Sequence, residues 1–264
     1  MRRKSPLNAI LSSALLLAIA ISRIGGCGHQ YRSASRSYAP QRNPIETVLS
    51  TAPSVEQREG TAAVILVDTS GSMRDSVADS DGLSKPKIVI ARRAVVDAVK
   101  RFSDFAQKDP QKPLLVGVYE FSARVHGPSC RRVINLAAPD PEEAARAVER
   151  MEPQGSTPIG DAMITAKRDL DATGLLHRHI LVVTDGMNNV GYSPGNVASA
   201  IARQAERDRA SIYFIAFDIG ESVFNEVKEA GGLVLGASNA TDLNQALDFI
   251  LTGKILVEQP LSPK

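Results

Sequence analysis

The chain has 264 residues, of which 43% are hydrophobic and 23% charged, as expected for one globular domain with extensions. This composition excludes a wholly disordered protein, a collagen-like chain and a polytopic membrane protein. The formal net charge is +2, but residues 1–26 contain four basic and no acidic side chains, so the rest carries a net charge of −2. With 5% aromatic residues and no tryptophan as well, the chain lacks the basic surface and stacking platform of a nucleic-acid-binding protein.

The first 26 residues are typical of a signal peptide, because three basic residues precede an apolar run from Leu7 to Ile21. The run is shorter than the about 20 residues that a membrane-spanning helix needs. The following Ile24-Gly25-Gly26-Cys27 resembles the lipobox of bacterial lipoproteins, which implies that Cys27 is lipidated and becomes the N-terminus. The chain is then exported and anchored to a cell-envelope membrane, in the periplasm or at the cell surface. Cleavage after Ala18-Ile19-Ala20 and an uncleaved N-terminal anchor are the alternatives.

Cysteine usage is consistent with export. The two cysteines, Cys27 and Cys130, allow neither a disulfide framework nor a C-x-x-C metal knuckle. If Cys27 is acylated, Cys130 is a lone thiol, which we expect to be buried beside a strand. If it is not, Cys27–Cys130 is the only disulfide possible.

Residues 27–60 are rich in Ser, Arg, Gln, Pro and Tyr and have no apolar period. They are predicted to form a flexible tether that holds a domain away from a membrane, with a short local helix over 46–49.

Beyond Gly60 the apolar pattern changes to alternating strands and helices. Strands are predicted at 62–67, 114–121, 132–136, 179–184, 211–217 and 233–235, and helices at 85–107, 141–151, from 158 onward, 196–208, 221–230 and 242–251. Ser156 or Thr157 is expected to cap the helix that Pro158 opens. This order predicts an α/β domain over 61–255, a three-layer doubly wound fold whose mostly parallel central sheet has helices on both faces. Residues 256–264 form a C-terminal tail.

The chemistry-bearing residues follow the two most apolar strands. Asp68 and Asp185 each end such a strand, and in open α/β sheets ligands bind beyond the carboxyl ends of the strands. Ser70 and Ser72 can turn towards the same point as Asp68, since they alternate along an extended loop in which Gly71 lets the backbone bend. A third hydroxyl, Thr157, lies at a predicted helix start. An all-oxygen set of two carboxylates and three hydroxyls is typical of a site for a hard divalent cation.

The charge of this set points to a use for the cation. Two carboxylates balance the charge of a divalent ion. Hydroxyl ligands are neutral, so an ion that they bind directly remains electrophilic. We therefore expect the ion to attract one more anionic oxygen, such as that of an Asp or Glu on a partner protein.

These segments resemble the metal-ion-dependent adhesion site of von Willebrand factor type A domains. The similarity rests on Asp68-Thr69-Ser70-Gly71-Ser72, Thr157 and Asp185-Gly186, and it covers about residues 60–255. It implies that Ser70, Ser72 and Thr157 bind Mg²⁺, or Mn²⁺ or Ca²⁺, through their hydroxyls, while Asp68 and Asp185 act chiefly through water or by exchange. The loops would be supported by Gly71 and Gly186. It also implies a protein-binding module rather than an enzyme.

Two other functions remain open from the residues alone. A Mg²⁺-dependent phosphohydrolase also places an Asp after the first strand, but it usually has a second Asp where this chain has Ser70. No P-loop is present, so a nucleotide is not expected to bind. A structural or assembly factor stabilised by its metal is the other alternative. Met73 and Met187 are expected to pack beneath the site, and the acidic residues 75, 79 and 81 to form a solvated loop.

Overall fold

The computed structural model describes residues 44–50, 55–124 and 127–257. The predicted signal peptide, the lipidation residue Cys27 and most of the predicted C-terminal tail lie outside these residues. Within the described ranges, no helix combines the length and the apolar character that crossing a membrane requires.

The centre of the domain is a six-stranded sheet, with a separate two-stranded hairpin beside it. The strands are β1 (Arg58–Asp68), β2 (Ser76–Ala78), β3 (Ser84–Pro86), β4 (Leu114–Phe121), β5 (Cys130–Ala137), β6 (Leu175–Thr184), β7 (Ser211–Phe217) and β8 (Leu233–Ala237). The large sheet has the order β5-β4-β1-β6-β7-β8, and only β5, at one edge, is antiparallel to its neighbour. Strands β2 and β3 form the hairpin.

Helices cover both faces of this sheet. They are α1 (Pro44–Leu49), α2 (Lys87–Ala106), α3 (Pro141–Val148), α4 (Ile159–Ala172), α5 (Pro194–Ala202), α6 (Asn225–Glu229) and α7 (Ala240–Ile250), the last continued by a π-helical turn over Leu251–Ile255. Helices α2, α3 and α7 pack on one face, and α1, α4, α5 and α6 on the other. The predicted three-layer doubly wound α/β fold is thus confirmed.

The packing of strand β1 explains why its residues 62–67 are continuously apolar. Ala63, Ile65 and Val67 face the layer of α2 and α7, whereas Ala62, Val64 and Leu66 alternate with them and face the layer of α4 and α5. A central strand of a parallel sheet is buried on both faces, so no position is left for a polar side chain. The first polar residue after this apolar run, Asp68, therefore marks the point where the strand reaches the sheet edge.

The predicted tether extends too far into the folded domain. Helix α1 buries Ile45 and Leu49, which are four residues apart and lie on one helical face against α4 and α5. Strand β1 begins at Arg58, so part of the segment 27–60 belongs to the fold. The prediction missed this part of the fold because the segment is mostly polar and only two apolar residues, Ile45 and Leu49, anchor α1 to the domain.

Other element boundaries also differ from the sequence predictions. The helix predicted over 196–208 ends at Ala202, and a separate 3-10 turn over Glu206–Asp208 follows it. Pro158 is the N-cap of α4 and not its first helical residue, and it provides no side-chain cap. The predicted strands and most helices are otherwise found, and the β2–β3 hairpin is an addition that the sequence did not predict.

Candidate metal-ion site

Asp68 lies at the carboxyl end of β1 and is fully buried. Its Oδ2 accepts a hydrogen bond from Thr184 Oγ1 at 2.5 Å, and its Oδ1 accepts one from the backbone N–H of Ser70 at 2.7 Å. Burial raises the pKa of this carboxyl from 3.8 to about 6, although the hydrogen bonds from Thr184 and Ser70 oppose the change and the charge of Asp185 adds to it. Such a carboxylate would be stabilised by a nearby cation.

The two serine hydroxyls connect this carboxylate to that of Asp185. Ser70 Oγ and Ser72 Oγ are 3.2 Å apart, and Ser72 Oγ donates to Asp185 Oδ1 at 2.8 Å. A 3-10 turn over Gly71–Arg74 brings Ser72 back towards the end of β6. The alternating hydroxyls of the first segment therefore do face the second acid.

The third segment is joined to the first two through its backbone. Gly155 adopts a φ of +81°, and a Cβ at this position would lie 2.1 Å from the carbonyl oxygen of Ala123, so only glycine fits. Its own carbonyl accepts from the N–H of Gly71 at 3.1 Å. The following Thr157 is 3% exposed, and its N–H donates to Asn189 Oδ1 at 2.8 Å.

Gly186 faces the space that these side chains surround. A Cβ built on Gly186 would lie 3.4 Å from Thr157 Oγ1 and 3.7 Å from Ser72 Oγ. Any larger residue would therefore place carbon against the hydroxyls. The structure thus brings together the five side chains that the sequence singled out, at the carboxyl ends of β1 and β6 and the start of α4. These are Asp68, Ser70, Ser72, Thr157 and Asp185.

The donor chemistry of this cluster fits a hard divalent cation, since all five side chains offer oxygen and two are carboxylates. Among the residues that the structure describes, no group of three or more His, Cys, Asp or Glu side chains could hold a metal. The five-residue cluster contains only two such side chains, Asp68 and Asp185, because hydroxyls provide most of its donors. Gly186 keeps the space in front of them free of side-chain atoms.

Comparison with known proteins identifies the family. A family model described as "von Willebrand factor type A domain" matches residues 63–188, a range that contains all five cluster residues. The chain carries a von Willebrand factor type A (VWA) domain. The match begins inside β1 and ends three residues after Asp185, so it includes each segment on which the resemblance rests.

Solved structures agree with this fold. A von Willebrand factor type A protein from Catenulispora acidiphila is 21% identical with a TM-score of 0.55, over 76% of this chain and 44% of that one. The PilB minor pilin from Streptococcus sanguinis is 16% identical with a TM-score of 0.58, over 78% and 65%. BatB from Bacteroides thetaiotaomicron is 19% identical with a TM-score of 0.52, over 73% and 100%. The chain thus spans less than two thirds of the first two proteins. The search of curated proteins gives no match.

One residue in contact with this cluster was not predicted from the sequence. Lys87, the first residue of α2, is 5% exposed, and its Nζ lies 3.1 Å from Asp185 Oδ2 and 2.8 Å from Asp218 Oδ2. Burial opposes its charged form, but hydrogen bonds to Asp218 and Asp185 outweigh this effect and raise its pKa. Asp218 follows β7, and within the described ranges it alone among non-glycine residues has a positive φ, of 57°.

Three side-chain hydrogen bonds fix the loop after β6 to the start of α4. Asn189 bonds Thr157, as described above, and Asn188 Oδ1 accepts from the N–H of Gly160 at 3.4 Å. Asp161 Oδ1 accepts from the N–H of Tyr192 at 3.0 Å. Asn189 thus positions Thr157, and Asn188 holds the same loop to the first turn of α4. Thr184 likewise positions Asp68.

The two methionines that follow the first and last segments of the cluster differ in their exposure. Met73 is fully buried, as expected, whereas the expectation for Met187 is wrong, because its side chain is 61% exposed. Val190 and Tyr192 on the same loop are also exposed. Since hydrogen bonds hold this loop, its apolar side chains are kept in solvent by the local backbone. We call Met187, Val190 and Tyr192 the apolar rim.

Proposed function

We propose that this VWA domain is a non-enzymatic, divalent-metal-dependent protein-binding module that captures an acidic side chain of a partner protein. The observation that carries the proposal is the convergence of two carboxylates and three hydroxyls around the space in front of Gly186. Mg²⁺ is the proposed occupant, with Mn²⁺ or Ca²⁺ as alternatives.

Each residue of the cluster has a distinct part in this proposal. Ser70, Ser72 and Thr157 would hold the ion through neutral hydroxyls, while Asp68 and Asp185 would balance its charge. When bound, the ion supplies an electrophilic position for one further anionic oxygen. The chain's own contribution is to hold the hydroxyls in place, which it does through Asn189 and the turn over Gly71–Arg74.

The apolar rim suggests what surrounds the acidic side chain on the partner. Its three residues follow Gly186 in the same loop and are held next to Thr157, so they are continuous with the cluster. We propose that the partner presents its Asp or Glu beside an aliphatic or aromatic side chain, which packs against Met187. Burial of such a contact would add affinity that the metal alone does not give.

The location proposed for the module is outside the cytosol, tethered to a membrane through lipidated Cys27. The similar fold of a minor pilin is consistent with a surface protein.

Calorimetric titration of the full chain with Mg²⁺ tests the first part of the proposal. We expect one site per chain, lost in Thr157→Ala with folding unaffected. Thr252→Ala is the matched control, because the Thr252 hydroxyl bonds only the carbonyl of Asp248 at the far end of α7. The proposal is wrong if the wild-type chain does not bind Mg²⁺, or if both variants bind equally.

Selection from a displayed peptide library tests the second part. Peptides retained in Mg²⁺ and eluted with EDTA are expected to contain an Asp or Glu, and replacement by Asn or Gln should abolish their binding. Mg²⁺ binding and raised thermal stability without any metal-dependent peptide would instead favour the structural role. Metal-dependent hydrolysis of a generic phosphate ester would favour an enzyme.

A further inference from the structure

Lys87 occupies an unusual position for a site that should bind a cation. Its ammonium contacts Asp185 Oδ2 at 3.1 Å, while Ser72 donates to the other oxygen of the same carboxylate. Both oxygens of Asp185 are therefore already engaged by donors of this chain. A divalent ion that uses Asp185 has to compete with the ammonium for that carboxylate.

The main chain of Lys87 is fixed, so that only its side chain can change partner. Its N–H donates to the carbonyl of Asp75 at 2.8 Å, and Pro86 before it ends the β2–β3 hairpin. The long aliphatic stem of a lysine allows its ammonium to move between neighbouring oxygens without moving the backbone.

Asp218 provides the second partner for this ammonium. Its Oδ2 lies 2.8 Å from Lys87 Nζ, closer than Asp185. Its φ of 57° is a conformation that glycine adopts easily and that other residues seldom do, and its N–H is tied to the carbonyl of Ala237 at 2.7 Å. The fold thus keeps a carboxylate in a strained backbone position where it faces Lys87.

We propose that Lys87 is a tethered competitor of the metal ion, which lowers and sets the affinity of the site by holding Asp185 in the ion-free state. Asp218 accepts the ammonium when the ion takes Asp185. The charges agree with this exchange, because Asp68, Asp185 and Asp218 together with Lys87 carry a net charge of −2, which one divalent ion balances. This inference rests on the proposed metal-dependent function.

The test compares Mg²⁺ affinity in Lys87→Met and Asp218→Asn with that of the wild-type chain, by calorimetry. Loss of the competing charge in Lys87→Met is expected to tighten binding about tenfold. In Asp218→Asn the Lys87 ammonium keeps Asp185 as its charged partner, so Mg²⁺ binding is expected to weaken about tenfold. A purely structural role for Lys87 predicts weaker or unchanged binding in Lys87→Met and unchanged affinity in Asp218→Asn.

Thermal unfolding provides an independent readout. Without metal, Lys87→Met is expected to melt below the wild-type chain, because Asp185 and Asp218 lose their shared cation, but Mg²⁺ should raise its melting temperature by more. Lys85→Met is the matched control: Lys85 pairs with Asp79 and Asp81 of the hairpin and not with Asp185, so Mg²⁺ affinity should not change.

The outcomes separate this inference from the proposed function. Wild-type binding with unchanged or weaker binding in Lys87→Met overturns the inference alone. Binding by Lys87→Met but not by the wild-type chain supports the inference and overturns the proposed function. No binding by either overturns both. If Lys87→Met does not fold, Asp218→Asn decides, since unchanged affinity in that variant also contradicts the competition.

Discussion

Two acidic clusters lie near the carboxyl edge of the sheet, and their electrostatics are opposite. Asp79, in the β2–β3 hairpin, is paired with Lys85 and Arg93, and its hydrogen bonds with Arg93 and Lys85 hold its pKa well below the usual range. Asp68 contacts only neutral donors, and burial raises its pKa to about 6. The hairpin cluster is neutralised by the chain itself, whereas the cluster of Asp68 has a single buried lysine. Uncompensated charge, rather than the number of acids, distinguishes a candidate cation site.

The largest expected effect separates the two clusters directly. Asp68→Asn should weaken Mg²⁺ binding on the order of 100-fold, because it removes a charge at the buried end of the site. Asp79→Asn should leave that affinity unchanged and lower the melting temperature, since Lys85 and Arg93 lose their common partner. Calorimetry and thermal unfolding of both variants provide the measurements. Equal loss of Mg²⁺ binding in the two would contradict the comparison.

The free energy of unfolding of the metal-free protein should depend on pH because of Asp68. Its folded-state pKa, about 6, exceeds the usual 3.8, so its charged form destabilises the fold above pH 6 and this penalty disappears as the pH falls towards 4. The shift corresponds to roughly 3 kcal/mol at most.

Urea unfolding in EDTA at pH 7.5 and pH 4.5 measures this effect. The difference in unfolding free energy between the wild-type chain and Asp68→Asn should shift in favour of the wild type at the lower pH. Saturating Mg²⁺ should reverse the direction, because the ion stabilises the carboxylate. A difference that does not depend on pH would show that Asp68 has an ordinary pKa.

A smaller effect is expected from filling the space in front of the hydroxyls. Gly186→Ala would place a methyl group 3.4 Å from Thr157 Oγ1, a contact that the fold tolerates but that a bound ion would not. Mg²⁺ affinity should fall about tenfold, as for other changes next to a metal ligand, with little change in melting temperature. Gly253→Ala, which meets only the ring of Phe249, is the control.

The smallest effect concerns the apolar rim. Met187→Ser should leave Mg²⁺ affinity unchanged and weaken the binding of a selected acidic peptide about threefold to tenfold, as expected for loss of a partly buried apolar contact. Phe249→Ser, which removes an exposed apolar side chain from α7, should affect neither. Identical peptide affinity in wild type and Met187→Ser would remove the rim from the proposed interface.

The sequence predicted the fold and the convergence of the cluster because both follow from local patterns. Apolar runs identified the central strands, and parallel strands end at one edge, which brings Asp68 and Asp185 together. Lys87 could not be predicted, because its two partners lie 98 and 131 residues further along the chain and meet it only after β6 and β7 have paired. Helix α1 was underestimated for a related reason: six residues with two apolar anchors are stabilised by packing and not by propensity.

The exposed Met187 illustrates the same limit. The sequence analysis predicts that it packs beneath the site, but the amide oxygens of Asn188 and Asn189 hold the adjoining loop against the start of α4 and leave the methionine in solvent. Polar side chains with backbone partners thus determine where apolar ones lie. A pattern of hydrophobicity alone does not contain that information.

The backbone bonds between the loops have a consequence for dynamics. Thr69 accepts from the N–H of Gln154, Gly155 from that of Gly71, and Ala123 and Ser156 form a β-bridge. These bonds join parts of the chain itself, so we expect the loss of conformational entropy that ordering the loops requires to occur during folding. Binding or release of an ion should therefore leave the hydrogen-exchange rates of the Gly71 and Gln154 amides almost unchanged.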